Sequence, residues 1–359
     1  MTRKLWFQLG VGILLILFII KYVVEVKWLF APIFIVLKTI FIPLLLGGVL
    51  FYITVPLQTF LEKRKFPRWS SMTIIFLLLT GLITGAFFIV IPPISEEVTK
   101  LAENAPAIIQ ESNNLIIQAT QFAGDMPDWV EESLEDAKNS LQTISVQFGK
   151  WTVTLFQSVF QGALIMFLAP FFLIFMLKDH EKLVPFVSGF FSGETKKWVE
   201  KTFKDIDDVL SLYVRGQIMI STILATKLFL GYLAIGLNFS LLLAVFAFFM
   251  NIIPFIGPWI AFIPALLIAL FQDPVMLIWV SLITLVAQQI DAQLITPNVM
   301  GRTLNIHPLT IITILLAAGN IAGFMGILLA VPAYAVGKAV VSNIYERRAA
   351  IKQTANKTV

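Results

Sequence analysis

The chain has 359 residues, of which 58% are apolar and 13% charged, and its mean hydropathy is +0.87. Soluble domains carry about 25% charged residues, and no soluble core hides this much apolar surface, so the sequence reads as an all-α polytopic membrane protein whose first partner is the lipid bilayer. With no cysteine and two histidines, thiolate zinc sites, iron–sulfur clusters and catalytic thiols are excluded and neither a metal nor a cofactor is expected, while a net charge of +4 with no basic stripe interleaved with aromatics argues against nucleic acid.

Arg3 and Lys4 precede an apolar run in the manner of a secretory signal. Lys21-Tyr22-Val23-Val24-Glu25 stands where a small-residue cleavage site would lie, so Leu5–Val24 reads as a retained first span. Trp28–Leu61 and Ser70–Pro92 complete three spans within residues 1–93, and Pro43 with Gly47 and Gly48 predicts a break or tilt in the second. The segment 94–150 carries ten acidic residues against three lysines. It reads as an extracytoplasmic pair of helices divided at Gly124-Asp125-Met126-Pro127. A heptad-like seam from Val130 to Trp151 serves either helix pairing within the chain or contact between subunits, so a homo-oligomer through residues 125–151 is expected.

Residues 151–177 form span four. Residues 178–212 form a cytoplasmic helical region with a seam at Val199, Phe203, Ile206, Leu210 and Tyr213. Asp205, Asp207 and Asp208 read as a solvated surface rather than a metal site, because 207 is off the face shared by 205 and 208, and His180 reads as solvated. Tyr213–Gly236 is span five. Lysines and arginines at 63–68, 178–215 and 347–357 fall on one side if the spans alternate, which makes that side, and both termini including the tail 346–359, cytoplasmic.

Residues 213–345 carry the information about function. Ser240–Asn251 is twelve residues, roughly 18 Å as a helix, and too short to span. It ends in Pro254, Gly257 and Pro258 before a second run, Trp259–Phe271. Val275–Ile295 is of full length. Leu309–Ala318 is again short and meets Gly319, Gly323 and Gly326 before Ile327–Ile344. NIIPFIGPWIAF at 251–262 and NIAGFMGILLAV at 320–331 share Asn, Ile, Phe, Gly and Ala at an offset of 69 residues. Breaks of this kind survive in lipid only when buried in protein or facing a wet cavity. Paired interrupted segments point to a transport site. The two regions are either re-entrant hairpins, which with the preceding spans form an inverted repeat, or two long bent spans; about eight passes result.

Polar residues inside this apolar field are the site candidates. Asp291 is a carboxylate for a proton or a cation, or an interfacial residue paired with Arg302. Gln288 and Gln289 cluster with it. Lys227, with Ser221, Thr222 and Thr226 nearby, faces a cavity, pairs with a carboxylate, or snorkels. Asn251 and Asn320, at the two tips, contact a polar solute or cap the hairpins, and His307 before Pro308 reads as a turn residue.

The runs QQIDAQLITP (288–297) and NVMGRTLNIHP (298–308) resemble the signature of the autoinducer-2 exporter (AI-2E) family of bacterial permease-like proteins. IPFIGP at 253–258, FFLIFMLKD at 171–179 and GILLAVP at 326–332 are similar to it as well. The resemblance implies eight passes, the inner or plasma membrane of a bacterial cell, and export of a small molecule such as an autoinducer-2-like signal. Some members resemble sodium(lithium)/proton antiporters. The expected function is a secondary transporter of a small polar solute, with Na+ or H+ as coupling ion. The alternatives are an antiporter using Asp291 and a non-transporting membrane scaffold. No phosphate-binding loop or hydrolase motif suggests an ATPase or an enzyme.

Overall fold

A computed structural model describes residues 5–122, 163–301 and 306–357. Among them there are helices and no strand. In chain order the helices are α1 (Leu5–Glu25), α2 (Lys27–Lys63), α3 (Arg68–Phe122), α4 (Ala163–Ser188), α5 (Gly193–Ala234), α6 (Ser240–Asn251), α7 (Gly257–Gln272), α8 (Met276–Ile290), a π-helical turn (Asp291–Ile295), α9 (Thr296–Met300) and α10 (Pro308–Lys357). Five helical segments among the described residues are long and apolar enough to cross a bilayer by length and composition. The extracytoplasmic seam at 125–151, and the Arg302 partner considered for Asp291, lie outside the described residues.

Two expectations for the N-terminal half change. α2 is one 37-residue helix through Pro32, Pro43 and Pro56, with no break at Gly47-Gly48. Gly47 instead lets α4 approach: a Cβ there would lie 2.6 Å from that of Phe172 and 3.2 Å from the Ala169 carbonyl oxygen. α3 does not end at Pro92-Pro93 but runs through them as one 55-residue helix that ends at Phe122. Phe51, Ile75, Leu173 and Leu177 bury the α2–α3–α4 contact.

The C-terminal half contains two chain reversals. α6 and α7 are joined by a tight turn through Ile252–Ile256, in which Phe255 takes a left-handed φ of 65°. A Cβ at Gly257 would collide with the Met250 carbonyl oxygen, so the arms meet backbone to backbone. α10 is folded in the same manner. Ala322 and Gly323 leave helical geometry, Gly323 with φ 59°. A Cβ at Gly326 would collide with the Ala318 carbonyl oxygen. In a continuous helix residues eight apart are separated by about 12 Å, so the chain doubles back at 322–323. Both broken regions are therefore hairpins rather than bent spans. The two colliding glycines, 257 and 326, sit at the 69-residue offset of the sequence repeat.

α5 is the spine. Its outer half packs Leu224, Leu228 and Tyr232 against the first hairpin and α8, burying Leu243, Ala247, Ala265, Ile268 and Val280. Its inner half packs Tyr213 and Ile220 with Ile253 from the first turn, Met300 from α9, and Ile311, Leu315, Ala330 and Val331 from both arms of the second hairpin. The two hairpins thus converge on one helix.

Candidate transport site

The polar groups of this core hang on α5. Gln217 Nε2 donates to the Asn251 carbonyl oxygen at 2.5 Å, and Asn251 Nδ2 donates to Ser221 Oγ at 3.2 Å. The carbonyl at the end of α6 loses its helical partner where the chain turns at Pro254, and Gln217 replaces that partner from across the interface. Further out, Tyr232 and Thr284 share a hydroxyl–hydroxyl bond of 2.8 Å between α5 and α8.

Lys227 projects from α5 toward α8, and its Nζ donates to the Ala287 carbonyl oxygen at 2.9 Å. One turn further along stands Asp291, within Coulombic reach of Lys227 and hydrogen-bonded by Thr296. Its Oδ1 is buried and has no hydrogen-bond partner among the described residues. Asp291 also opens the π-helical turn, closed by Thr296 N–H to the Asp291 carbonyl oxygen. Pro297 accounts for the widening: it has no N–H to return to Gln293, so the four-residue ladder is already interrupted there. Wide turns of this kind within α-helices recur at functional sites.

The candidates named from the sequence separate into three groups. Asp291 and Lys227, 64 positions apart, come within Coulombic range without forming an ion pair of 4 Å or less, and Lys227 bonds the Ala287 carbonyl oxygen instead. Asn251 is buried in the α5 contact, whereas Asn320 is exposed and, among the described residues, bonds back to its own helix at Leu316 O, 3.0 Å away. Gln288 is half-buried and Gln289 is exposed, the latter bonded to Gln293 at 3.0 Å. Of the expected breaks, Pro254 lies in the first turn, Gly257 and Pro258 open α7, and Gly323 makes the second reversal. Gly319 and Gly326 sit within helical arms and serve their mutual approach.

Two hairpins thus meet on one helix beside the carboxylate of Asp291. The family profile described as "AI-2E family transporter" matches residues 12–346. The chain belongs to the AI-2E family. It is 34% identical over 338 residues to "Putative transport protein YueF" of Bacillus subtilis, covering 92% of this chain and 91% of that protein. It is 28% identical over 344 residues to "Putative transport protein YrrI" of the same organism, covering 96% and 97%. It is 26% identical over 307 residues to "Putative permease PerM" of Escherichia coli, covering 83% and 86%. The AI-2E chain is a multi-pass membrane transporter.

In this AI-2E protein several functional contacts escaped the sequence reading. The N-terminal part of α5, where the acidic residues were expected to be solvated, is not a free face. Asp205 accepts from Asn343 Nδ2 at 2.8 Å and Asp207 from the Tyr52 hydroxyl at 3.0 Å. Trp198 Nε1 donates to the Asn343 carbonyl oxygen at 3.1 Å and lies 5.0 Å beneath the Arg347 guanidinium. His180 is likewise not simply solvated, since its Nδ1 is 3.2 Å from Arg68. Arg68 also bonds Glu181 at 2.7 Å and holds that carboxyl below the ordinary glutamate range. At the opposite end of the core, Glu97 of α3 accepts from the Leu242 amide at 2.8 Å, capping α6, whose N-cap residue Phe239 offers no side-chain cap. Burial pushes the Glu97 carboxyl above its usual range, against the opposing pull of the Leu242 and Leu241 amides.

Proposed function

We propose that the protein is a secondary active transporter that exports a small polar solute, an autoinducer-2-like signal being one such solute, and that the coupling ion is a proton or Na+ held at Asp291. The observation that carries this reading is the buried, unpartnered Oδ1 of Asp291 at a π-helical turn, with the Lys227 ammonium nearby. A carboxylate in that setting accepts a small cation, and Lys227 supplies the positive charge when no cation is bound. The distribution of basic residues supports cytoplasmic termini in a bacterial cell, and the heptad-like sequence of 125–151 supports assembly of copies of the chain.

A second reading, sodium(lithium)/proton antiport without a solute, is favoured by the same pair. One carboxylate beside a tethered cation suffices to exchange one small cation for another. Proteoliposomes loaded with a pH-sensitive dye test both readings. Addition of Na+ is expected to dissipate an imposed pH gradient in the wild type and not in Asp291→Asn. Unchanged dissipation in Asp291→Asn removes Asp291 from the coupling role. Dissipation that needs no solute on either side selects the antiporter over the exporter, and no ion or solute movement at all leaves the scaffold.

A further inference from the structure

α2 and α3 are joined by a basic, aromatic turn that takes no part in the ion site. Between the span-length segments Trp28–Lys63 and Arg68–Gly85 lie only Arg64, Lys65, Phe66 and Pro67. A connection this short keeps the whole turn at the bilayer surface. Residues 62–69 hold four cations and one carboxylate. The carboxylate, Glu62, accepts from Gln58 Nε2 at 2.9 Å, and Arg68 is engaged by Glu181 and the Leu177 carbonyl oxygen. Lys63, Arg64 and Lys65 are exposed and form no ion pair among the described residues.

The backbone of the turn holds these cations in a fixed array. The Lys65 N–H donates to the Glu62 carbonyl oxygen at 2.9 Å and the Phe66 N–H to the Leu61 carbonyl oxygen at 3.2 Å, which closes α2 as a Schellman motif. The left-handed position of that motif is most often glycine; here it is Lys65, with φ 69°. Basic residues anywhere in the turn would orient the two spans. Orientation therefore does not account for a lysine at the one position that glycine takes without steric cost, and a strained backbone of this kind accompanies function. The aromatic residues point the same way. Phe60, Phe66 and Trp69 are 53%, 45% and 74% exposed, and the Arg64 guanidinium lies 5.1 Å over the Phe60 ring. Trp69 shares a face of α3 with the exposed Phe76, seven positions on. Tryptophan anchors at the level of lipid headgroups, and cations beside it attract anionic lipid. A zwitterionic headgroup brings its own cation, which these residues repel.

We propose that Lys63, Arg64 and Lys65, flanked by Phe66 and Trp69, form a docking site for the phosphate of an anionic phospholipid, selected over zwitterionic lipid.

Titration of fluorescent phosphatidylglycerol and phosphatidylcholine into the full chain in neutral detergent tests it. The wild type is expected to bind phosphatidylglycerol about tenfold or more tighter than phosphatidylcholine, and Lys63→Gln/Arg64→Gln should lose most of that preference. Lys196→Gln/Lys197→Gln, which removes the same charge from α5, should keep it. Lys65→Gly should weaken phosphatidylglycerol binding about threefold or more, while its thermal midpoint without lipid is equal or higher, because glycine relieves the left-handed turn. Equal affinity for the two lipids in the wild type overturns the proposal, as does an equal loss of preference in the two double variants. Unchanged phosphatidylglycerol binding in Lys65→Gly or in Lys63→Gln/Arg64→Gln overturns it as well. Displacement of bound phosphatidylglycerol by glycerol 3-phosphate at equal concentration would make the turn a site for a soluble anion and overturn the lipid assignment.

Discussion

Replacing Lys227 by methionine keeps the length and apolar body of the side chain and deletes its charge. In the wild type the ammonium bonds the Ala287 carbonyl oxygen at 2.9 Å and faces Asp291. Unit charges about 5 Å apart at an effective dielectric near 20 interact by about 3 kcal/mol. Both side chains are half-buried rather than enclosed, so solvent lowers the usable part to about 1–3 kcal/mol. Lys227→Met should therefore destabilise the protein by about that amount near neutral pH, because Asp291 is left with the Thr296 bond as its only support. Asp291→Asn should cost somewhat less, since Lys227 keeps its carbonyl partner. The double variant should cost less than the two singles together by about 1–2 kcal/mol. Unfolding by SDS titration, followed by tryptophan fluorescence, measures all four corners of the cycle. Additivity within about 0.5 kcal/mol would mean that the two charges do not sense each other, and the ion-site argument would lose its electrostatic basis.

The arm contacts make a sharp steric prediction: Gly257→Ala and Gly326→Ala each drive a Cβ into a carbonyl oxygen and should cost about 3 kcal/mol or more. Gly48→Ala, with nothing nearer than Met176 Cε at 3.9 Å, should be neutral or stabilising in the same assay. Because burial raises the Glu97 carboxyl in the folded state, wild-type stability should fall as pH rises through that raised value and be regained below the ordinary glutamate value. Glu97→Gln should match or exceed the wild type at about pH 8 and lose the advantage on acidification; a wild type that gains on the variant as pH rises would show that the amide bonds outweigh burial. At the base of the second hairpin Asn343→Ala should cost about 1–3 kcal/mol, because Asn343 is buried and bonds Asp205. Lys201→Ala should cost no more than about 0.5 kcal/mol, its pair with Glu346 being exposed.

Much of the architecture was legible because lipid leaves few options. Apolar length marked most of the spans, and the spacing of Pro and Gly marked both interruptions. The 69-residue offset between Gly257 and Gly326 proved to be an offset between equivalent steric contacts. The choice between hairpin and bent span was not legible, because it depends on one left-handed residue in each turn, Phe255 in one and Gly323 in the other. Asp291 and Lys227 stood out singly as charges in an apolar field. Their juxtaposition depends on the rotation of α5 against α8, which no local pattern encodes. The contacts of Glu97, Asn343 and Trp198 were missed for a related reason. Polar residues near a membrane surface look solvated until the facing helix is placed.

The two hairpins reuse one backbone device and differ in what their tips hold. In each, a left-handed residue turns the chain and a glycine on the return arm seats against the carbonyl of the outgoing arm. At the first tip the asparagine is drawn into α5 by Gln217 and Ser221, so its freed backbone carbonyl is satisfied and the tip is buried. At the second, Asn320 only caps its own helix and Ile321 is 84% exposed. The return arm of that second hairpin is held at its far end instead, where Asn343 and Arg347 grip Asp205, Trp198 and Thr195 of α5. A rigid steric pattern repeated twice thus leaves one hairpin anchored at its tip and the other at its base. Local opening costs least where polar contacts across the interface are fewest; among the described residues the second tip makes fewer such contacts with α5 than the first, so it is expected to open more readily than the first.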